Sequence, residues 1–147
     1  MPITIDHMTL PARDNDASAE FIAAIFDLPY SGLDKRGWAQ LAISDSFTLM
    51  YVPIEPQNRI HIAFHVDDAT AGKVIANLKR LGIDFGNDPR DPYNGRDDHP
   101  FGGRGVFFHD PNGHFFEVLT RRSPGTGVLE KSMVPSGPHV PFVPART

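Results

Sequence analysis

Three residues far apart in the chain carry the chemistry to be explained: His7, His61 and Glu117. Two imidazoles and one carboxylate make a facial triad. Such a set leaves coordination positions open, suits iron, and also serves manganese, zinc or nickel. Each residue stands in a run that alternates like a β-strand, where successive side chains point to opposite faces. His7 lies in ITIDHMTL, on the face of Ile3, Ile5 and Thr9. His61 lies in RIHIAFHV with Arg59, Ala63 and His65, while Ile60, Ile62, Phe64 and Val66 form the opposite, apolar face. Glu117 lies in HFFEVL with Phe115 and Leu119. A carboxylate in so apolar a run needs a partner, and a bound cation offsets the cost of burying it. Plainer alternatives stay open for each residue taken singly. His7 fits a half-exposed strand position, and Glu117 fits a rim pair with Arg59 or Arg121. His65 shares the His61 face further along the strand and reads as a supporting or core residue.

The elements that position these residues recur twice. After the first strand, NDASAEFIAAIFDL reads as a helix with Asp16 or Ser18 as its cap and a stripe of Phe21, Ile22, Ile25, Phe26 and Leu28. Strand candidates follow around Tyr30 to Leu33, in GWAQLAI and in FTLMYVP, and IEPQN links the halves. The second half repeats the order. RIHIAFHV is a strand, and DATAGKVIANLKRLG is a helix with a Val74, Ile75, Leu78 and Leu81 stripe, ended by Gly82. IDFG is a short strand candidate, and NDPRDPYNGRDDHPFGG is a long polar loop of the kind that is often functional or mobile. GVFFHDPNGHFFEV is a hairpin turning on Asp110, Pro111, Asn112 and Gly113. An internal repeat of this kind organises the whole chain. It predicts an α+β domain over 1–122, with one module near 1–55 and the other near 56–122. The remaining 123–147 segment is rich in Pro, Gly and Ser and reads as an extended tail.

Composition narrows the function classes. The chain has 147 residues, 40% hydrophobic and 22% charged, enough for one domain with a real core. A net charge of −4 and no Lys/Arg run argue against nucleic acid as a partner. No apolar stretch is long enough to span a bilayer, and the N-terminus lacks signal-peptide character, so a cytoplasmic protein is expected. The absence of cysteine excludes disulfides, thiolate ligands and a Cys nucleophile.

The runs IDHMTL, RIHIAFHV and GRGVFFHDPNGHFFEV together resemble the vicinal oxygen chelate superfamily, which includes glyoxalase I, fosfomycin-resistance proteins, extradiol dioxygenases and bleomycin-resistance proteins. The resemblance covers about residues 3–121. It implies two βαβββ modules whose curved sheets surround a metal cleft, with His7, His61 and Glu117 as ligands. It also implies a homodimer, in some members with modules exchanged between chains.

The resemblance bears on reaction type as well. Superposing the halves puts Met50 where Glu117 stands, so the fourth carboxylate of glyoxalase I is not matched. Thr9 matches a substrate-side threonine of the fosfomycin-resistance proteins, with Arg96 and Arg104 as candidates for an anion site. In the extradiol pattern a histidine precedes the Asp-Pro-x-Gly turn and the ligand Glu, and His99 stands at that distance as the candidate acid/base group. Its alternative is a solvated loop residue. The expectation is a metal-dependent enzyme acting on a small molecule, with extradiol-type oxygen chemistry on a catechol-like substrate and Fe(II) as the favoured ion. Manganese, nickel or zinc would suit the alternatives, a fosfomycin-type transferase or a glyoxalase-type lyase or isomerase. A non-catalytic drug-binding protein of the bleomycin-resistance type is the rival from another class. Trp38, Tyr93, Phe107 and Phe115 are candidates to shape an apolar cleft.

Overall fold

The computed structural model describes residues 3–124, so the expected tail falls almost wholly outside the described residues. The chain forms β1 (His7–Pro11), α1 (Asn15–Phe26), β2 (Ala39–Ser44), β3 (Phe47–Val52), β4 (His61–His65), α2 (Asp68–Arg80), β5 (Gly105–His109) and β6 (Phe115–Leu119). Both halves build the same three-stranded sheet, in the order β1-β3-β2 and then β4-β6-β5. In each, the first strand runs parallel to the last, and the middle strand pairs with the last as an antiparallel hairpin.

The fold is α+β with a repeated module, and the expected additional strand of each module shrinks to a single bridge. Leu33 pairs only with Ala39, and Gly86 only with Phe107. The first shortening has a visible cause. Asp34 accepts hydrogen bonds from the backbone N–H groups of Arg36 and Trp38 and from the Gln40 side chain, which turns the chain straight into β2. These bonds, that from Trp38 foremost, hold the Asp34 carboxyl down at about 2. β1 also begins later than its alternation suggests, at His7.

Both helices start on an aspartate whose carboxylate accepts an otherwise orphaned N–H, a cap of about 1 kcal/mol. In α1 the cap is Asp14, bonded to Ala17, in place of the expected Asp16 or Ser18; in α2 it is Asp67, bonded to Thr70. Asp16 instead accepts from the Tyr30 hydroxyl, and Ser18 donates to the Asp14 carbonyl. α2 ends at Arg80 with Leu81 as its C-cap, and Gly82 takes the positive φ of 68° that follows, as expected of the glycine that ends the helix.

The two helices pack against each other and share one core with both sheets. Leu10, Ile22, Ile25, Leu41 and Leu49 join Val74, Leu78, Val106, Phe108 and Phe116 in one apolar cluster drawn from both halves. Asn77 on α2 donates to the Ile25 carbonyl at the end of α1. Each sheet packs one face into this core. The other face of the first sheet is exposed at His7, Thr9, Gln40 and Ala42. In the second sheet only the edge strand β4 is exposed, at His61, Ala63 and His65, while β5 and β6 are buried almost throughout.

The Asp-Pro-Asn-Gly turn locks the halves together. Asp110 is buried, accepts N–H bonds from Asn112 and His114 on one oxygen, and takes the buried Tyr51 hydroxyl at 2.8 Å on the other. Asn112 reaches back to Ser18 and Arg13 in the first half. Among the described residues no helix is long and apolar enough to cross a membrane.

Candidate functional site

The register of the second sheet assembles the site. Ala63 on β4 lies opposite Glu117 on β6, and His61 lies opposite Phe115. Strand alternation then places His61 and Glu117 on the same face, as diagonal neighbours on adjacent strands. His61 Nε2 lies 3.1 Å from Glu117 Oε1. The two differ in exposure: half of the His61 side chain is accessible, against 7% for Glu117. β5 places Phe107 directly opposite Glu117. The rings of Phe107 and Phe115 stack with centroids 5.2 Å apart, and His61 tilts against Phe115 at the same distance. The carboxylate thus sits in an aromatic floor, and an imidazole stands at the water side.

The long polar loop supplies a third group. His99 Nε2 lies 2.6 Å from Glu117 Oε2. The other ring nitrogen, Nδ1, accepts the backbone N–H of Phe101 at 3.0 Å. An accepting Nδ1 carries no proton, so the ring is neutral and Nε2–H is the donor to Glu117. His99 is buried, contrary to the solvated-loop alternative, with only 2% of its side chain accessible. Burial by itself would raise the Glu117 pKa, but the hydrogen bonds from His61 and His99 outweigh it, leaving the carboxyl below its usual value. Glu117 is therefore ionised at neutral pH, and its partners are these two histidines in place of Arg59 or Arg121.

His7 stands apart. It faces Thr48 across the first sheet, and its Nδ1 lies 2.8 Å from the exposed Asp6 carboxylate. Matching the registers of the two sheets makes His7 and Thr48 the counterparts of His61 and Phe115. The same match puts Met50 at the Glu117 position, as the repeat predicts, so the first sheet offers a histidine and no acid. Among the described residues of one chain, no three His, Asp or Glu side chains are disposed to hold a metal ion.

A cavity of about 440 Å³ opens beside Glu117, lined by Ala63, His65, Phe101, Leu119 and Arg122. His65 bonds the Thr120 carbonyl at its rim. Phe101 and Arg122 were not evident as site residues in the sequence, where neither interrupts an apolar pattern. Tyr93 does not line this cavity; its hydroxyl meets His109, whose other nitrogen meets Arg59. Burial first, then the Arg59 charge, depresses the His109 pKa. Trp38 sits under the Arg36 guanidinium in the turn before β2. Arg96 is bonded to Asp98, and Arg104 lies against Asp97 and Asp68.

This fold has counterparts among known proteins. No family model matches the chain. The solved structure of oxidase ChaP-H2 is 31% identical, with a TM-score of 0.73, covering 83% of this chain and 96% of that one. The fosfomycin resistance protein FosX of Mesorhizobium japonicum is 26% identical over 124 residues, 79% of this chain and 84% of that protein. A FosX of Listeria monocytogenes, solved in complex with Mn(II) and sulfate, is 21% identical with a TM-score of 0.61, covering 84% and 94% of the two chains, and speaks to the fold alone. The chain belongs to the vicinal oxygen chelate superfamily. Its relatives there are enzymes, among them a fosfomycin-resistance protein and an oxidase.

Proposed function

We propose that the protein is a divalent-metal-dependent enzyme acting on a small molecule, and that it works as a homodimer. His61 and Glu117 of one chain would hold the ion together with His7 of a second copy. The observation that carries this is the pairing of the half-exposed His61 with the buried Glu117, 3.1 Å apart at the β4 edge of the second sheet, with the matching histidine of the repeat exposed on the first sheet. An imidazole and an ionised carboxylate are a donor set that fits Fe(II) or Mn(II), and other first-row ions bind such sets too. When bound, such an ion supplies Lewis-acid chelation of vicinal substrate oxygens and, as Fe(II), redox chemistry with dioxygen.

The chain's own residues define what binds. Phe107 and Phe115 give the carboxylate an apolar floor that excludes water. The cavity beside Glu117 offers Phe101 and Leu119 to a ring and Arg122 to a polar substituent. We favour oxygen chemistry on a catechol-like substrate, with Fe(II) as the ion. The support is the likeness to an oxidase and the engagement of Arg96 and Arg104 with aspartates, which leaves them poorly suited to a phosphonate. Fosfomycin-type chemistry, with Mn(II) as the ion, is the second reading, favoured by the likeness to the FosX of Mesorhizobium japonicum.

Elemental analysis after anaerobic purification without a metal-affinity tag tests the proposal, beside a His61→Ala control. Stoichiometric iron that the control lacks supports the leading version, and stoichiometric manganese the second. A chain that binds none of Fe(II), Mn(II), Ni(II) or Zn(II) after reconstitution contradicts both and leaves a binding protein.

A further inference from the structure

We propose that His99 is a positioning residue for Glu117: as a neutral imidazole fixed by the Phe101 N–H, it pins Oε2, so that the carboxylate meets an ion through Oε1 alone. The proposal rests on Glu117 being a metal ligand, and it assigns His99 a role that does not require the ring to give up its proton.

The geometry is built for one orientation of the ring. The Phe101 N–H points at Nδ1 and Glu117 at Nε2, so a ring flip would set carbon against both partners. The ring lies nearly parallel to Phe107, with centroids 5.7 Å apart and planes 19° from each other, which holds it against the sheet. Gly105 leaves the room for this, because a Cβ there would come within 2.6 Å of His99 Cδ2.

The loop itself is folded around the same end. Asn87 and Asn94 bond each other through backbone and side chain, and Asn87 reaches the Asp98 carbonyl beside His99. The Gly102 N–H bonds the His99 carbonyl, and the His99 N–H bonds the Gly103 carbonyl. So long and polar a segment therefore has a structural purpose: it carries one buried imidazole to the far side of the carboxylate. His61 meets Oε1 from the open side and His99 meets Oε2 from the closed side, which leaves Oε1 as the oxygen that faces incoming ligands. Hydrogen-bond partners behind a ligand orient it, and losing one typically costs 10–100-fold in metal affinity.

The test is Co(II) titration of the metal-free full chain, followed by visible absorption and calorimetry. Two variants separate donor from shape. His99→Phe keeps a ring stacked on Phe107 and removes the donor, whereas His99→Gln keeps an N–H at the Nε2 position and removes the ring. His61→Ala reports on the metal site itself. We expect His99→Phe to lower Co(II) affinity by roughly 10–100-fold and to change the Co(II) absorption band, with His99→Gln recovering most of both. Thermal unfolding without metal runs alongside, since a purely structural role would lower the Tm of both variants and leave the loaded spectrum unchanged. A folded His99→Phe protein with wild-type affinity and spectrum overturns the proposal while the metal site stands, as does His99→Gln behaving like His99→Phe. A wild type that takes up no Co(II), or His61→Ala binding like wild type, removes the metal site and the proposal with it.

Discussion

His99 and His114 are both buried, and each has both ring nitrogens engaged, yet they serve different ends. His99 acts on the carboxylate of the site, whereas His114 ties backbone to backbone. Tyr51 belongs with them as a buried polar side chain with one fixed partner, Asp110. Burial first, then the charge and hydrogen bond of Asp110, raises the Tyr51 phenol far above its ordinary 10.0. For a group whose folded pKa is raised, the stabilisation is fully present below the ordinary value and is lost as pH rises beyond it. Wild type should therefore exceed Tyr51→Phe in stability at pH 8, by about 1.5–3 kcal/mol for a bond to a carboxylate. That gap should narrow steadily above pH 10 when both are followed by urea unfolding. A gap constant up to pH 11 would contradict the assignment. At this scale strand alternation made His61 and Glu117 legible in the sequence, because a polar residue on an apolar run is conspicuous. His99 was singled out by its distance from the turn, but its burial was not legible: it sits in a segment of Asp, Arg, Asn and Gly. Only the folded loop shows that the polar residues bond one another and leave the imidazole inside.

Between elements, His114 joins two strands from different halves. Its Nδ1 accepts the Ile60 N–H just before β4, and its Nε2–H donates to the Pro11 carbonyl at the end of β1, at 2.7 Å. His114→Ala would leave both backbone groups unpaired at the junction, and we expect a loss of about 2 kcal/mol in urea unfolding. A midpoint equal to that of wild type would show that water replaces the ring without cost. Both helices were legible from their apolar spacing, and the second one's end from Gly82. The caps were less so, since Asp14, Asp16 and Ser18 all suit the role and only the turn geometry selects Asp14. The shortened strands were hidden for a different reason. The residues around Leu33 and Phe85 have strand composition, but local bonds donated to the Asp34 carboxylate, and the bend into the loop after Gly86, end each pairing after one bridge.

Across the whole molecule, the repeat in the sequence became two like sheets sharing one core with the helices, with exposed side chains on the outer face of the first and along β4 of the second. The duplication was legible from the order of elements and from Met50 standing in for Glu117. What alternation could not convey is that one chain keeps His7 away from His61 and Glu117, because periodicity fixes the face of a strand and not which sheets meet. A closed two-fold dimer resolves this if the outer face of one chain's first sheet meets the β4 edge of the other's second. The most direct measurement is complementation between two defective chains. His7→Ala and His61→Ala proteins are each assayed for bound metal, then mixed, exchanged in mild denaturant, refolded with Fe(II) or Mn(II) and assayed again. Each hybrid would carry one intact site, built from His7 of one chain with His61 and Glu117 of the other, so random re-pairing should restore roughly a quarter of the wild-type sites. Hybrids that form and still bind no metal, while wild type treated in the same way does, would contradict a centre shared between subunits.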